Sequence, residues 1–272
     1  MSENVDINKE DGISKIRQRK KRVGKIKIVG DVRYHKNFKS EFLQNKRDII
    51  VWLPPSYNND SERKFPVLYM HDGQNILHPR TSFAGMDWRV DETATKLIKE
   101  GKLEEIIIVG IYNTPDRLEE YSDSIKGNNY LKFIIEELMP FINSNYKTKT
   151  GKNNLGIMGS SMGGLISFFA AWKFPEVFGK AACLSNSFYY DDEKAIKMVK
   201  DYKGEKKKIK IYIDHGEDGL PRGQKMFCAL SEKGFIIGSD IDYFYAPGAE
   251  HTENAWAERL ERPLLFLFGI KK

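Results

Sequence analysis

The chain has 272 residues and a hydrophobic content of 40%, which is enough for one sizeable core. Its longest apolar runs, at 106–111 and 264–270, are too short to cross a membrane. Its net charge is +6, and part of that excess lies in the basic run KIRQRKKR at residues 15–22. The first twelve residues lack the pattern of a secretory signal. The two cysteines, Cys183 and Cys228, are expected to be reduced and buried. We therefore predict a cytoplasmic protein.

Residues 1–24 are polar and show no periodicity. A basic tail of this kind can bind nucleic acid or a membrane surface, but a solvated arm is the simpler interpretation. We therefore predict a disordered basic arm over 1–24, one folded domain over 25–272, no membrane span and no nucleic-acid partner.

The segment from residue 25 to residue 65 has the composition of antiparallel strands. KIKIV at 25–29 alternates polar and apolar residues, and RDIIVWLP at 47–54 is a β-branched and aromatic run that stops at two prolines. These segments predict an antiparallel edge of a sheet.

From Pro66 onward, strand and helix patterns alternate, which predicts an α/β fold with a mainly parallel sheet and helices on both faces. A kink is expected at Pro140 in the second helix. Ligands of such sheets bind at the carboxyl ends of the strands. The predicted strands are 67–71, 106–111, 155–158, 180–185, 208–214 and 240–246, and the predicted helices are 90–101, 129–146, 163–174, 192–202, 222–234 and 252–268.

The motif G-x-S-x-G occurs at residues 159–163, between a predicted strand and a predicted helix. This motif is typical of a nucleophilic serine on a sharp turn, where glycines two residues away on each side let the backbone approach closely. Ser161 has glycine at both positions, whereas Ser160 has methionine at both. We therefore predict Ser161 as the nucleophile, with a plain glycine-rich turn as the alternative.

A serine nucleophile needs a histidine base and an orienting acid, which follow it in the chain order Ser, acid, His. Of the five histidines, His215 and His251 follow Ser161. His251 lies between the last predicted strand and the last helix, where a loop can carry it over the serine. His215 would leave little room for an acid before it, so His251 is the predicted base.

The acid is expected after the strand at 208–214, in the sequence IDHGEDG. Asp214 belongs to the strand end, and Glu217 and Asp218 occupy the turn. We predict Asp218, because it lies farther into the loop, and keep Glu217 as the alternative.

An oxyanion hole needs two backbone N–H groups that point at the developing negative charge. One is expected from Met162, the residue after the nucleophile, and the other from the loop HDGQN at 71–75. Gly73 or Gln74 is the predicted donor in that loop, although an ordinary turn explains the same residues.

Several segments, taken together and in order, resemble a family of esterases with the α/β-hydrolase fold: YMHDGQNIL, FAGMDWRVDETA, GSSMGGLISFFAAWKFPEVFGKAACLSNSF, IYIDHGEDG and PGAEHTENAWAERL. The family includes feruloyl and acetyl xylan esterases, enterochelin-type siderophore esterases, S-formylglutathione hydrolases and mycolyltransferases. The resemblance runs from about residue 27 to residue 268. It implies the same roles for Ser161, His251 and a carboxylate near Asp218.

Two departures from the family pattern bear on the site. The turn that carries the acid is one residue shorter than usual, so Glu217 can replace Asp218. Asn186 stands where the family often has proline, next to Ser187 and Phe188. Trp88, Phe188, Tyr189 and Trp256 are candidate substrate-binding residues near the predicted carboxyl-end loops, with core packing as the alternative.

These observations predict a serine-dependent carboxylic ester hydrolase that acts through an acyl-enzyme on small or carbohydrate-linked esters of the acetyl or feruloyl type. The alternatives are a siderophore esterase or thioesterase, and a non-catalytic binding protein on the same scaffold. No metal or organic cofactor is expected, and the oligomeric state stays open.

Overall fold

Eight strands form a single sheet in the computed structural model, which describes residues 27–217 and 220–270. The order across the sheet is β1-β2-β4-β3-β5-β6-β7-β8. In chain order the strands are β1 (Asp31–Lys39), β2 (Lys46–Leu53), β3 (Val67–His71), β4 (Ile107–Ile111), β5 (Leu155–Ser160), β6 (Lys180–Leu184), β7 (Lys210–His215) and β8 (Ile241–Tyr245).

The sheet is parallel except at its N-terminal edge. Strand β1 pairs antiparallel with β2, and β2 pairs antiparallel with β4, whereas every pair from β4 across to β8 is parallel. The predicted sheet, mainly parallel with an antiparallel edge, is confirmed. All residues of β3, β4 and β5 are buried, as expected for strands covered on both faces.

The helices cover both faces and produce two apolar clusters, one on each side of the sheet. Consecutive residues of β3 belong to different clusters, because side chains alternate between the two faces of a sheet: Tyr69 lies in one cluster and Leu68 in the other. The helices are α1 (Val90–Lys99), α2 (Arg117–Glu120), α3 (Ile125–Lys132), α4 (Met139–Asn145), α5 (Met162–Lys173), α6 (Tyr190–Asp201), α7 (Leu220–Glu232), α8 (Glu253–Arg259) and α9 (Glu261–Phe268).

The predicted first strand is wrong in position. Residues 27–30 lie outside any strand, and the edge strand β1 begins at Asp31. Most side chains of β1 are partly or fully exposed, so its sequence carries no clear apolar alternation, and pairing with β2 determines where it lies. The predicted arm over 1–24 lies outside the described residues.

Two predicted helices are interrupted. The helix expected over 129–146 contains a π-helical segment, Phe133–Leu138, in which the N–H of Met139 donates to the carbonyl of Ile134, five residues back. This wide turn lies directly before Pro140, which has no N–H to continue the α-helical pattern. The helix expected over 252–268 divides at Leu260 into α8 and α9.

Two further predictions concern the cysteines and the membrane. Cys183 is buried in β6, but Cys228 is exposed on α7, so the expectation that both are buried is wrong for Cys228. Within the described ranges, each helix is too short or too polar to traverse a bilayer.

Candidate active site

Ser161 occupies the sharp turn between β5 and α5. Its backbone has φ 56° and ψ −124°, a conformation that residues with a side chain rarely adopt. The Ser161 N–H donates to the carbonyl of Leu184 at 2.9 Å, and its carbonyl accepts from the N–H groups of Leu165 and Ser187 at 3.1 and 3.2 Å. These bonds hold the strained residue between two strand ends and a helix start. Ser160, by contrast, is a buried residue of β5.

The two glycines of the motif are required by close backbone contacts. A Cβ on Gly159 would lie 2.7 Å from the carbonyl carbon of Gly163, which is closer than any real Cβ contact. A Cβ on Gly163 would lie 3.3 Å from the Cβ of His71 and 3.4 Å from a carboxylate oxygen of Asp72. The turn therefore packs against its own strand and against the loop after β3.

Ser161 and His251 line the same cavity, which has a volume of about 570 Å³ at the carboxyl ends of the strands. Gln74 and Trp256 line it as well, so the structure brings together side chains from four of the predicted positions. The remaining lining residues are Asp72, Asn75, Phe83, Ala84, Asn113, Arg117, Ser160, Thr252 and Glu253.

The two other histidines near the carboxyl ends of the strands are held elsewhere. His215 is fully buried, and its ring nitrogens contact the Tyr243 hydroxyl at 2.6 Å and the Gly216 carbonyl at 2.7 Å. His71 is buried against the Tyr130 hydroxyl at 2.8 Å, and burial lowers its pKa to about 3, so its imidazole stays neutral. His251 is the exposed histidine of the three, and its side chain packs edge-on against Trp256, with ring centroids 5.0 Å apart.

The three candidate acids differ in their surroundings. The carboxylate of Asp214 is fully buried and pairs with the Arg259 guanidinium at 3.1 Å. The carboxylate of Glu217 is exposed and accepts from the Tyr245 hydroxyl at 2.6 Å and from the Gly248 N–H at 2.9 Å. The bond from Tyr245, followed by that from Gly248, lowers the pKa of Glu217. Asp218, the predicted acid, lies outside the described residues.

The predicted oxyanion donors come from two backbone segments. Met162 is the first residue of α5, and the first N–H groups of a helix lack partners within the helix. Gly73 and Gln74 form a 3₁₀ turn, Gly73–Asn75, closed by a 2.8 Å bond from the Asn75 N–H to the Asp72 carbonyl. A Cβ on Gly73 would lie 2.5 Å from the backbone of Gly110 in β4, so only glycine allows this turn to sit so close to the sheet.

Sequence reasoning missed the side chains that support this turn. Asp72 has a left-handed backbone, with φ 55°, and its carboxylate accepts two hydrogen bonds of 2.7 Å from the Arg117 guanidinium and one of 2.6 Å from Asn113. The Arg117 guanidinium also lies over the Tyr121 ring. Asp72 follows β3 and Arg117 follows β4, and these two strands are adjacent and parallel. An acidic residue after one strand and a basic residue after its neighbour could therefore have predicted this ion pair from the sequence.

The four candidate aromatic residues do not share one role. Trp256 lines the cavity and contacts the buried Trp88, with ring centroids 5.5 Å apart and the rings tilted by 45°. Phe188 is fully buried and packs edge-on against Phe168 in the core. Tyr189 is 53% exposed and lies under the Arg222 guanidinium. Trp88, Phe188 and Tyr189 are not among the described residues that line this cavity, and their part in substrate binding stays a prediction.

Three acidic side chains lie close together where α1 begins. Oxygen atoms of Asp87, Asp91 and Glu92 lie within 4.8 Å of one another, and Asp91 Oδ2 accepts from the Val29 N–H at 2.6 Å. Burial, and secondarily the hydrogen bond with Glu92, raise the pKa of Asp91 to about 8. This cluster anchors the segment before β1 on α1.

Comparison with known proteins gives a family and a set of relatives. The sequence model of the family described as "Putative esterase" matches residues 40–267. Protein YbbA of Bacillus subtilis is 26% identical over 253 residues, which cover 85% of this chain and 96% of that protein. The endo-1,4-beta-xylanase/feruloyl esterase of Xylanibacter ruminicola is 29% identical over 239 residues, which cover 85% of this chain but only 30% of that longer protein.

Solved structures of esterases share the fold. A ferulic acid esterase superposes with a TM-score of 0.73 and 22% identity, covering 88% of this chain and 98% of that one. The enterobactin esterase FES from Shigella flexneri has a TM-score of 0.70 and 20% identity, covering 87% of this chain and 59% of that one. At such identities the likeness establishes the α/β-hydrolase fold, which agrees with the order and direction of the strands described above.

Proposed function

Because the chain belongs to this esterase family, we propose that it is a serine-dependent carboxylic ester hydrolase that acts through an acyl-enzyme. The observation that carries the proposal is the strained backbone of Ser161 at a cavity that His251 also lines. A serine held in this way presents its hydroxyl to a bound ester, and a histidine in the same cavity can accept its proton.

In the proposed reaction, Ser161 Oγ attacks the acyl carbon while His251 takes the hydroxyl proton. The imidazolium then gives that proton to the leaving alcohol, and a water molecule, activated by the same histidine, releases the acyl group. The N–H groups of Met162 and of Gly73 or Gln74 stabilise the oxyanion of each tetrahedral intermediate. No metal or organic cofactor takes part in this scheme.

Asp218 remains the proposed partner of His251, and Glu217 remains the alternative. The Asp214 carboxylate pairs with Arg259, and the Glu217 carboxylate accepts from Tyr245 and Gly248, so both are engaged away from the cavity. These contacts favour Asp218. We expect Asp218→Asn to abolish turnover and Glu217→Gln to retain it; the reverse result would assign the acid to Glu217.

The proposed substrates are small or carbohydrate-linked esters of the acetyl or feruloyl type. The cavity of about 570 Å³ is large enough for a feruloyl group, and the relative from Xylanibacter ruminicola carries a feruloyl esterase name. A siderophore esterase or a thioesterase would use the same serine chemistry on another acyl group. A panel of methyl ferulate, acetylated xylo-oligosaccharide, a triscatecholate trilactone and an acyl thioester separates these functions by kcat/KM.

The nucleophile is tested with a fluorophosphonate probe, which reacts covalently with activated serines. We expect the wild-type chain to be labelled and Ser161→Ala not to be labelled. The neighbouring Ser160→Ala is the matched control and should still be labelled. Labelling or ester hydrolysis that persists in Ser161→Ala would remove the proposed nucleophile, and a wild-type chain that is inert to the probe would favour a binding protein on this scaffold.

A further inference from the structure

A buried polar network connects the ends of β6 and β7 to helix α8, which begins two residues after His251. At its centre, Ser185 Oγ accepts from the Trp256 indole N–H at 3.0 Å and from the Arg259 guanidinium at 2.8 Å. The same guanidinium nitrogen donates to Asp214 at 3.1 Å, and Asp214 accepts from the Ser185 N–H at 3.1 Å. Tyr212 completes the network with its hydroxyl 3.2 Å from the Asp214 carboxylate.

The network contains a buried ion pair, which is by itself weak evidence for a gain in stability. Asp214 is fully buried and Arg259 is 6% exposed, so both lose hydration on folding. Such a desolvation cost often cancels the attraction within a buried ion pair, and apolar residues of similar volume are frequently as stable. Burial raises the pKa of Asp214 despite the opposing effect of Arg259. What the pair does specify is the geometry of the side chains bonded to it.

That geometry fixes the indole of Trp256. The indole N–H donates to Ser185, and the tilted ring of Trp88 packs against the Trp256 ring, with centroids 5.5 Å apart. Arg259 lies on the same helix and donates to the carbonyl of Ala255, so the guanidinium also holds the helix backbone next to Trp256. Trp256 is thus oriented by a directional bond, by its ring contact with Trp88 and by its own helix.

The proposed base, His251, contacts the ring of the oriented Trp256 edge-on. The side chain of His251 is exposed, and its ring lies 5.0 Å from the Trp256 ring at an interplanar angle of 83°. We propose that Ser185 and Arg259 are positioning residues that act through Trp256 to orient the His251 imidazole toward Ser161. This inference rests on the proposed esterase function.

The test is Ser185→Ala, which removes the shared acceptor but keeps the direct pair between Asp214 and Arg259. We expect kcat for 4-nitrophenyl acetate to fall about tenfold with KM within twofold, because a displaced base affects proton transfer more than binding. Ser231→Ala is the matched control: its hydroxyl bonds the Phe227 carbonyl on α7, and the substitution should leave kcat unchanged.

A second readout does not require catalysis. A histidine imidazole in contact with an indole quenches its fluorescence, so the emission of Trp256 should be lower in the wild type than in His251→Ala at one fixed pH. Subtraction of the His251→Ala spectrum removes the contribution of the other three tryptophans. In Ser185→Ala we expect less than half of the wild-type quenching amplitude, because the two rings no longer keep their edge contact.

The outcomes separate this inference from the proposed function. Wild-type kcat and quenching in Ser185→Ala would overturn the positioning role while esterase activity stands. Ester hydrolysis that survives in Ser161→Ala would overturn the proposed function while the quenching can still report the contact. If Ser185→Ala does not fold, Arg259→Lys gives the same test, since it keeps a charge beside Asp214 but has one nitrogen in place of the two that reach the Ala255 carbonyl and Ser185.

Discussion

The pair between Asp72 and Arg117 offers the sharpest test of the proposed oxyanion hole. Asp72 directly precedes the turn Gly73–Asn75, and its carboxylate receives two bonds of 2.7 Å from the guanidinium. A lysine at position 117 keeps the positive charge but cannot make this two-pronged contact. Arg117→Lys therefore loosens the residue that precedes the turn and leaves the proposed oxyanion donors, Met162 and Gly73 or Gln74, unchanged.

The expected magnitude follows from the bond that is lost. A hydrogen bond to a charged group contributes about 1.5–3 kcal/mol, and we take the lower end because the Arg117 side chain is 29% exposed. A loss of about 1.5 kcal/mol in the transition state corresponds to about a tenfold fall in kcat. KM should change less than twofold, because the oxyanion forms only after the ester has bound.

The assay is steady-state hydrolysis of 4-nitrophenyl acetate, with the folded fraction of each variant checked by circular dichroism at the assay temperature. Arg63→Lys is the control, since Arg63 makes a surface ion pair of 2.7 Å with Glu105 and should lose no activity. A kcat for Arg117→Lys within twofold of the wild type would refute the view that this pair holds an oxyanion donor in place.

Two further predictions concern stability. Glu120→Gln leaves the buried Arg47 guanidinium without its counter-charge at 2.7 Å, so the free energy of unfolding, measured in urea, should fall by about 3–5 kcal/mol. The double substitution Arg47→Met with Glu120→Leu removes both charges and should cost less. A larger loss in the double variant would contradict this. The pKa of Asp91 is raised in the folded state, so its stabilising contribution is complete below about pH 4, the ordinary range of aspartate, and is lost as the pH rises through about 8. Relative to Asp91→Asn, the wild type should therefore lose up to about 1.4 kcal/mol per pH unit between pH 5 and pH 8 in urea titrations, and parallel curves would exclude a raised pKa.

The sequence was sufficient for the features that depend on local chemistry. The strand, sharp turn and helix around Ser161 follow from the motif at 159–163, because the spacing of its glycines reflects direct backbone contacts. An irregularity near Pro140 was also predictable from the missing N–H, although its form, a π-helical segment before the proline, was not. The mainly parallel sheet followed from the alternation of strand and helix patterns.

The features that depend on distant parts of the chain were not predictable in this way. The edge strand β1 has mostly exposed side chains, so only its pairing with β2 defines it. Phe188 looked like a pocket residue because it follows a strand end, yet its ring is fully buried against Phe168. The surroundings of Asp214 are set by Arg259, 45 positions later in the chain, which no local pattern indicates.

The strained backbone of Ser161 links its proposed reactivity to the completeness of folding. A side-chain-bearing residue at φ 56° and ψ −124° carries a conformational penalty of about 1–3 kcal/mol, and its N–H bond to Leu184 exists only when β5 and β6 are paired. In an incompletely assembled chain nothing stabilises this backbone conformation, and the Ser161 hydroxyl is then no more nucleophilic than the hydroxyl of any other serine. The molar amount of probe that a preparation takes up should accordingly count its correctly assembled molecules, which makes covalent titration a measure of native content as well as of chemistry.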